Sequence, residues 1–135
     1  MKVVKFGGSS LADAKHIKRV FDIVHSDNER RIIVVSAPGK RHENDTKVTD
    51  LLISCGLHAI NNEDPSPFIE QVVARYKEIA DDLILPPTII ETIQNDLLVR
   101  LAGDKNNPEQ YLDCIKASGE DNHAKLVACY FQEQG

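Results

Sequence analysis

An α/β fold with a mainly parallel sheet, helix-rich within these 135 residues, is predicted by three observations. Val3-Val4 and Ile32-Ile33-Val34-Val35 are short apolar, β-branched runs without polar alternation, the pattern of strands covered by helices on both faces. Between them Ile17, Val20, Phe21 and Val24 recur at helical spacing, so strand, helix and strand form a βαβ unit whose parallel strands end on one edge. From Thr49 onward every periodic segment is helical. Two convincing strands against five or more helices is an unusual tally, since sheets average about five to six strands. The chain therefore has the pattern of the N-terminal part of a longer enzyme.

The first strand is predicted to end at Phe6 and the first helix to run from about Ser10 to His25, closed by Ser26-Asp27-Asn28. Lys5-Phe6-Gly7-Gly8-Ser9-Ser10 joins them, placing a cation and two glycines where an α/β protein holds phosphate. Glycines let the backbone approach an anion, and the following helix aims free N–H groups and its positive dipole end at the same place. An ordinary strand-to-helix turn fits equally well, with Ser10 capping the helix, Asp13 at its third position and Lys5 solvated. Neither the dinucleotide fingerprint nor the P-loop spacing is present.

Composition narrows the partners. A chain 41% hydrophobic and 27% charged suits one domain with a core. With a formal charge of −5 and cations scattered along it, the chain has no basic stripe for nucleic acid or an anionic membrane. No apolar stretch approaches the roughly 18 residues of a membrane span, and Met1-Lys2 enters a strand directly, so a cytoplasmic protein is expected. Cys55, Cys114 and Cys129 are separated and lie in apolar helical patterns, as reduced core thiols do, and the five histidines show no ligand spacing with them. No protein-built metal site is expected.

The second strand runs into Ser36-Ala37-Pro38-Gly39 at the edge where open α/β sheets bind ligands. Lys40 to Asp45 is charged and reads as a mobile surface loop. Thr49 follows as an N-cap, with Leu51, Leu52 and Cys55 inward before Gly56. Ser66-Pro67 opens a helix carrying Ile69, Val72, Val73, Tyr76, Ile79, Ala80 and Leu83, and Thr88 starts another carrying Ile90, Ile93, Leu97 and Leu101. Both read as scaffold without chemistry. Asn107-Pro108 opens a further helix with Tyr111, Leu112 and Ile115 inward. A break is expected at Ser118-Gly119-Glu120, where Ser118 would cap a last helix. On pattern alone Glu120 is an acid that suits the dipole of that helix start.

Lys5-Phe6-Gly7-Gly8-Ser9-Ser10-Leu11-Ala12, Val35-Ser36-Ala37-Pro38-Gly39-Lys40, Thr49-Asp50-Leu51-Leu52 and Ser118-Gly119-Glu120 occur in the order and spacing of aspartate kinases. The chain resembles that family from end to end. The resemblance implies the N-terminal portion, residues 1–135, of a three-layer α/β/α amino acid kinase domain, with no regulatory domain. It also implies transfer of the ATP γ-phosphoryl to the side-chain carboxylate of L-aspartate, giving 4-phospho-L-aspartate for lysine, threonine and methionine synthesis. By similarity, Lys5 would neutralise the transferring phosphoryl. Phe6, Gly7, Gly8 and Ser9 would hold phosphate oxygens, chiefly through the N–H groups of Gly7 and Gly8. Ser36 and Ala37 would form a wall of the aspartate site, Thr49 would contact aspartate, and Glu120 would accept its α-ammonium group. Mg²⁺ would arrive with ATP, with no tightly bound cofactor. Lys40 is a weaker phosphate candidate because the segment from Gly39 to Thr49 is long for the family.

Adenine, the aspartate α-carboxylate and effector amino acids would be bound by parts that follow in the family, so residues 1–135 alone are expected to be inactive. Open strand edges favour self-association, hence a homo-oligomer. A related kinase acting on glutamate and a non-catalytic binding or assembly module are the competing functions.

Overall fold

The computed structural model describes residues 1–135. Strand β1 (Lys2–Lys5) pairs in parallel with β2 (Arg30–Val34), aligning Val3 with Ile32, Val4 with Ile33 and Lys5 with Val34. The helices are α1 (Ala14–His25), α2 (Val48–Ile60), α3 (Ser66–Asp82), α4 (Thr88–Leu101) and α5 (Pro108–Gln134). Helix α1 joins the strands, as its apolar period requires, and buries Ala14, Ile17, Val20 and Val24. The later helices pack as neighbours, α2 on α3 and α5, and α4 on α3 and α5. No helix is long and apolar enough to cross a membrane.

The pleat divides the sheet into unequal faces. Ile33 and Phe6 pack on the core. Val3, Ile32 and Val34 share the opposite face with Lys5 and stay 62%, 45% and 42% exposed. Burial of both faces, expected from the unbroken apolar runs, is therefore realised on one face only, because the helices of these residues all pack on the other.

Three local expectations are corrected. Ser10 does not cap the first helix: Gly8–Leu11 forms a 3-10 turn, and the Asp13 carboxylate caps α1 by accepting the His16 N–H at 2.9 Å. Thr49 is not an N-cap either; α2 starts at Val48, has Lys47 in the cap position with no side-chain cap, and runs through Gly56 to Ile60. The expected break at Ser118-Gly119-Glu120 is absent, and α5 is one continuous helix. Packing overrides the helix cost of glycine there, because a Cβ at Gly119 would sit 2.8 Å from the Ala37 Cβ and 3.0 Å from the Leu52 Cδ1. Ser118 turns inward and donates to the Ile115 carbonyl at 2.5 Å. The cysteines are free, but only Cys55 is a core thiol; Cys129 is half-buried and Cys114 exposed.

Gly119→Ala separates these effects. Alanine improves helix propensity by about 1 kcal/mol, yet forcing a methyl against the cleft wall costs about 1–3 kcal/mol. A net loss of stability in urea unfolding is expected; a gain would mean that α5 does not need close approach at Gly119.

Candidate active site

At the carboxyl edge of the two strands a cleft of about 440 Å³ is lined by Gly8, Ser9, Ser36, Ala37, Pro38, Gly39, Lys40, Lys47, Thr49 and Glu120. Each strand delivers one wall. β1 leads into the Gly8–Leu11 turn, and β2 leads into Ser36 to Gly39. The walls are joined by backbone: the Gly39 N–H donates to the Gly8 carbonyl at 2.9 Å, and the Ser36 hydroxyl donates to the Phe6 carbonyl at 3.2 Å. A Cβ at Gly39 would lie 2.6 Å from the Gly8 carbonyl carbon and 2.8 Å from the Ser9 nitrogen, so only glycine permits this approach.

Helix α2 enters the cleft at Lys47 and Thr49. Of its first N–H groups, Val48 donates to the Pro38 carbonyl at 3.2 Å and Asp50 to the Lys47 carbonyl at 3.1 Å, and no side chain caps the end, so the Thr49 N–H is left free at a helix start whose positive dipole end meets the cavity. Lys40 and Lys47 are exposed on the same rim, and none of the ion pairs in the structure involves them or Lys5. Glu120 supplies the one carboxylate in the lining. A cleft with two cations and a helix start on one part and a single acid on another suits a ligand that is anionic over most of its length and cationic at one point.

Gly8, Ser9, Ser36, Ala37, Thr49 and Glu120 are thus brought together from four separated stretches of sequence. Glu120 reaches the cleft from the middle of α5 rather than from a helix start. Lys5, Phe6 and Gly7 lie beside the lining: Lys5 is exposed at the end of β1, and the Phe6 ring turns toward α1, lining a pocket with His16, Val20 and Ile23. Lys40 and Lys47 do line it.

Helix α3, expected to be scaffold alone, holds part of the site. Arg75 is buried and donates to the Gly39 carbonyl at 2.8 Å, while the Tyr76 hydroxyl donates to the Gly119 carbonyl at 2.9 Å. His123, one turn beyond Glu120 on α5, is fully buried with its Nδ1 2.9 Å from the Ser36 carbonyl oxygen. That contact places the proton on Nδ1 and leaves Nε2 without a partner. The charged loop is also tied down. Arg41 forms a two-point pair with Asp45 at 2.7 and 2.9 Å and reaches Glu78 of α3 at 2.7 Å. The Arg41 guanidinium holds the Asp45 carboxyl well below the usual carboxylate range.

Burial pushes the His123 imidazole down to about 4, against about 6.5 for a solvated histidine. Between those values the unfolded chain binds the extra proton, so stability falls as pH drops below about 6.5 and this loss is complete near 4. Its size is on the order of 3 kcal/mol. His123→Asn retains a donor for Ser36 and should flatten the difference between urea unfolding at pH 7 and pH 4.5. An equal pH dependence in both proteins would show that His123 is not buried neutral.

The model of the amino acid kinase family matches residues 1–134. Aspartokinase 3 of Bacillus subtilis is 56% identical over all of this chain, which spans 30% of that protein. The chloroplastic aspartokinase 2 of Arabidopsis thaliana is 30% identical over 98% of the chain and 25% of its own length. Among solved structures, Clostridium acetobutylicum aspartate kinase superposes with a TM-score of 0.79 at 33% identity, covering 95% of this chain and 28% of that one. E. coli aspartokinase III, solved with aspartate and ADP, shares the fold with a TM-score of 0.75 at 24% identity, over 98% of this chain and 29% of its own. The chain thus spans under a third of these proteins. With its parallel strands, glycine-joined walls and matching helices, it belongs to the amino acid kinase family.

Proposed function

We propose that residues 1–135 are the N-terminal portion of an aspartate kinase catalytic domain and supply the phosphoryl end of its site. The observation that carries this is the convergence of Gly8, Ser9, Ser36, Ala37, Thr49 and Glu120 on one cleft at the carboxyl edge of the strands. The 56% identity to an aspartokinase along the whole chain supports the choice of aspartate.

Phosphoryl transfer needs positioning and charge neutralisation more than covalent chemistry. The side-chain carboxylate of aspartate is ionised near neutral pH and attacks without a general base. Glu120 accepts the α-ammonium group in a charge-assisted bond. Ser36, Ala37 and Thr49 bound the acid, with the open N-terminus of α2 favouring its negative charge. The backbone N–H groups of Gly7, Gly8 and Ser9 hold phosphate oxygens, and the Lys5 ammonium offsets charge on the transferring group. Mg²⁺ enters with ATP, held mainly by phosphates and water. In a cytoplasmic enzyme of this kind the product feeds lysine, threonine and methionine synthesis. The open face of Val3, Ile32 and Val34 needs cover, from following strands of the domain or from another subunit.

Hydroxylamine trapping in the complete polypeptide tests this, with L-aspartate and L-glutamate offered separately with MgATP. An acyl hydroxamate from aspartate is expected, and none from residues 1–135 alone. Turnover of glutamate only would assign a different acceptor.

A further inference from the structure

We propose that Arg75 is a positioning residue for this cleft, setting the orientation of the peptides that lead into its walls and into the start of α2; the inference builds on the kinase function above. Its guanidinium is the meeting point of three chain segments. One terminal nitrogen donates to the Gly39 carbonyl at 2.8 Å and the Ala12 carbonyl at 3.3 Å, and the other donates to the Thr46 carbonyl at 2.9 Å. The Asp45 carboxylate lies 3.4 Å from the second nitrogen. Ala12 follows the Gly8–Leu11 turn, Gly39 belongs to the opposite wall, and Thr46 precedes Lys47 and Thr49 at the mouth of α2. All three segments therefore carry cleft residues, and Arg75 itself is not among the residues that line the cleft.

Peptide geometry turns these bonds into orientation. In a trans peptide the C=O and the following N–H point in opposite directions. Drawing the Gly39 and Thr46 carbonyls onto Arg75 directs the N–H groups of Lys40 and Lys47 away from it, and both lysines line the cleft. Gly39 is thereby fixed on both sides: its carbonyl lies on Arg75, and its own N–H donates to the Gly8 carbonyl at the contact where no Cβ fits.

A residue needed only for packing would be poorly chosen here. Burial lowers the Arg75 pKa, and Nε is left buried without a partner. An apolar side chain would avoid that cost. What arginine alone offers is a planar fork that reaches several carbonyls at once. Arg75→Lys keeps the charge and loses the fork, and Arg75→Met keeps the stem and loses both.

Two measurements separate positioning from plain stability. Amide hydrogen exchange in the complete polypeptide should show the wild-type Gly39 amide protected as strongly as Ile115 in the core. In Arg75→Lys it should exchange at least tenfold faster relative to Ile115 and Leu97. In the complete polypeptide, Arg75→Lys should raise KM for aspartate at least tenfold, whereas a loss of folded protein lowers kcat and leaves KM alone. Equal acceleration of all three amides in a folded Arg75→Lys would overturn the proposal, and an unprotected Gly39 in the wild type would overturn it even if neither variant folds. An unchanged KM would overturn it as well. Absence of aspartate phosphorylation in the wild type would contradict the kinase function instead, and the exchange result would still decide the role of Arg75.

Discussion

Lys5→Ala in the complete polypeptide is expected to lower kcat for aspartate phosphorylation by about a hundred- to a thousandfold, the range for losing one preorganised electrostatic partner of a transition state. Stability changes by no more than about 0.5 kcal/mol, because Lys5 is exposed at the end of β1 and makes no ion pair. KM for aspartate should stay near the wild-type value if, as proposed, the ammonium acts on charge that develops during transfer. Steady-state kinetics with hydroxylamine trapping reads kcat and KM together. A kcat within threefold of wild type would remove Lys5 from the transfer step and leave the backbone N–H groups and Mg²⁺ as the whole of the phosphoryl site.

Gly39→Ala damages the site by a different route. Its Cβ would meet the Gly8 carbonyl carbon at 2.6 Å and the Ser9 nitrogen at 2.8 Å, and both are backbone atoms that cannot rotate aside. The walls must separate, breaking the bond from Gly39 to Gly8 and loosening the carbonyl that Arg75 holds. A loss of about 1–3 kcal/mol in urea unfolding is expected, with kcat/KM falling at least as far as in Lys5→Ala. Wild-type stability and activity in this variant would mean that the walls are not in contact at Gly8 and Gly39.

Much of the candidate cleft was legible in the sequence because its parts are local. A glycine pair after a strand, a small-residue segment after the next strand and a threonine entering a helix are each readable within a few residues, and parallel pairing brings their ends to one edge. Glu120 was legible only through resemblance, since its reach into the cleft depends on α5 running unbroken. Gly119 misled there: it breaks helices by propensity, but here it lets α5 close on Ala37 and Leu52. The α1 cap moved from Ser10 to Asp13 because the Gly8–Leu11 turn takes up the intervening residues.

Arg75, Tyr76 and His123 were missed for a shared reason. Each sits on the apolar face of a helix, where inward-facing residues read as core. A signal was nonetheless present. Arg75 lies three residues after Val72 and four before Ile79, which puts a cation on a buried stripe. His123 holds the same kind of place between Gly119 and Leu126. Buried groups of this kind require partners, and here the partners are the carbonyls of the cleft walls.

The most direct test is calorimetric titration of the complete polypeptide with L-aspartate, comparing wild type with Glu120→Ala and Lys5→Ala. If Glu120 receives the α-ammonium group, binding is lost in Glu120→Ala, by about 1.5–3 kcal/mol for a hydrogen bond to a charged group, and persists in Lys5→Ala. Wild-type affinity in Glu120→Ala would contradict the assignment of this cleft to aspartate.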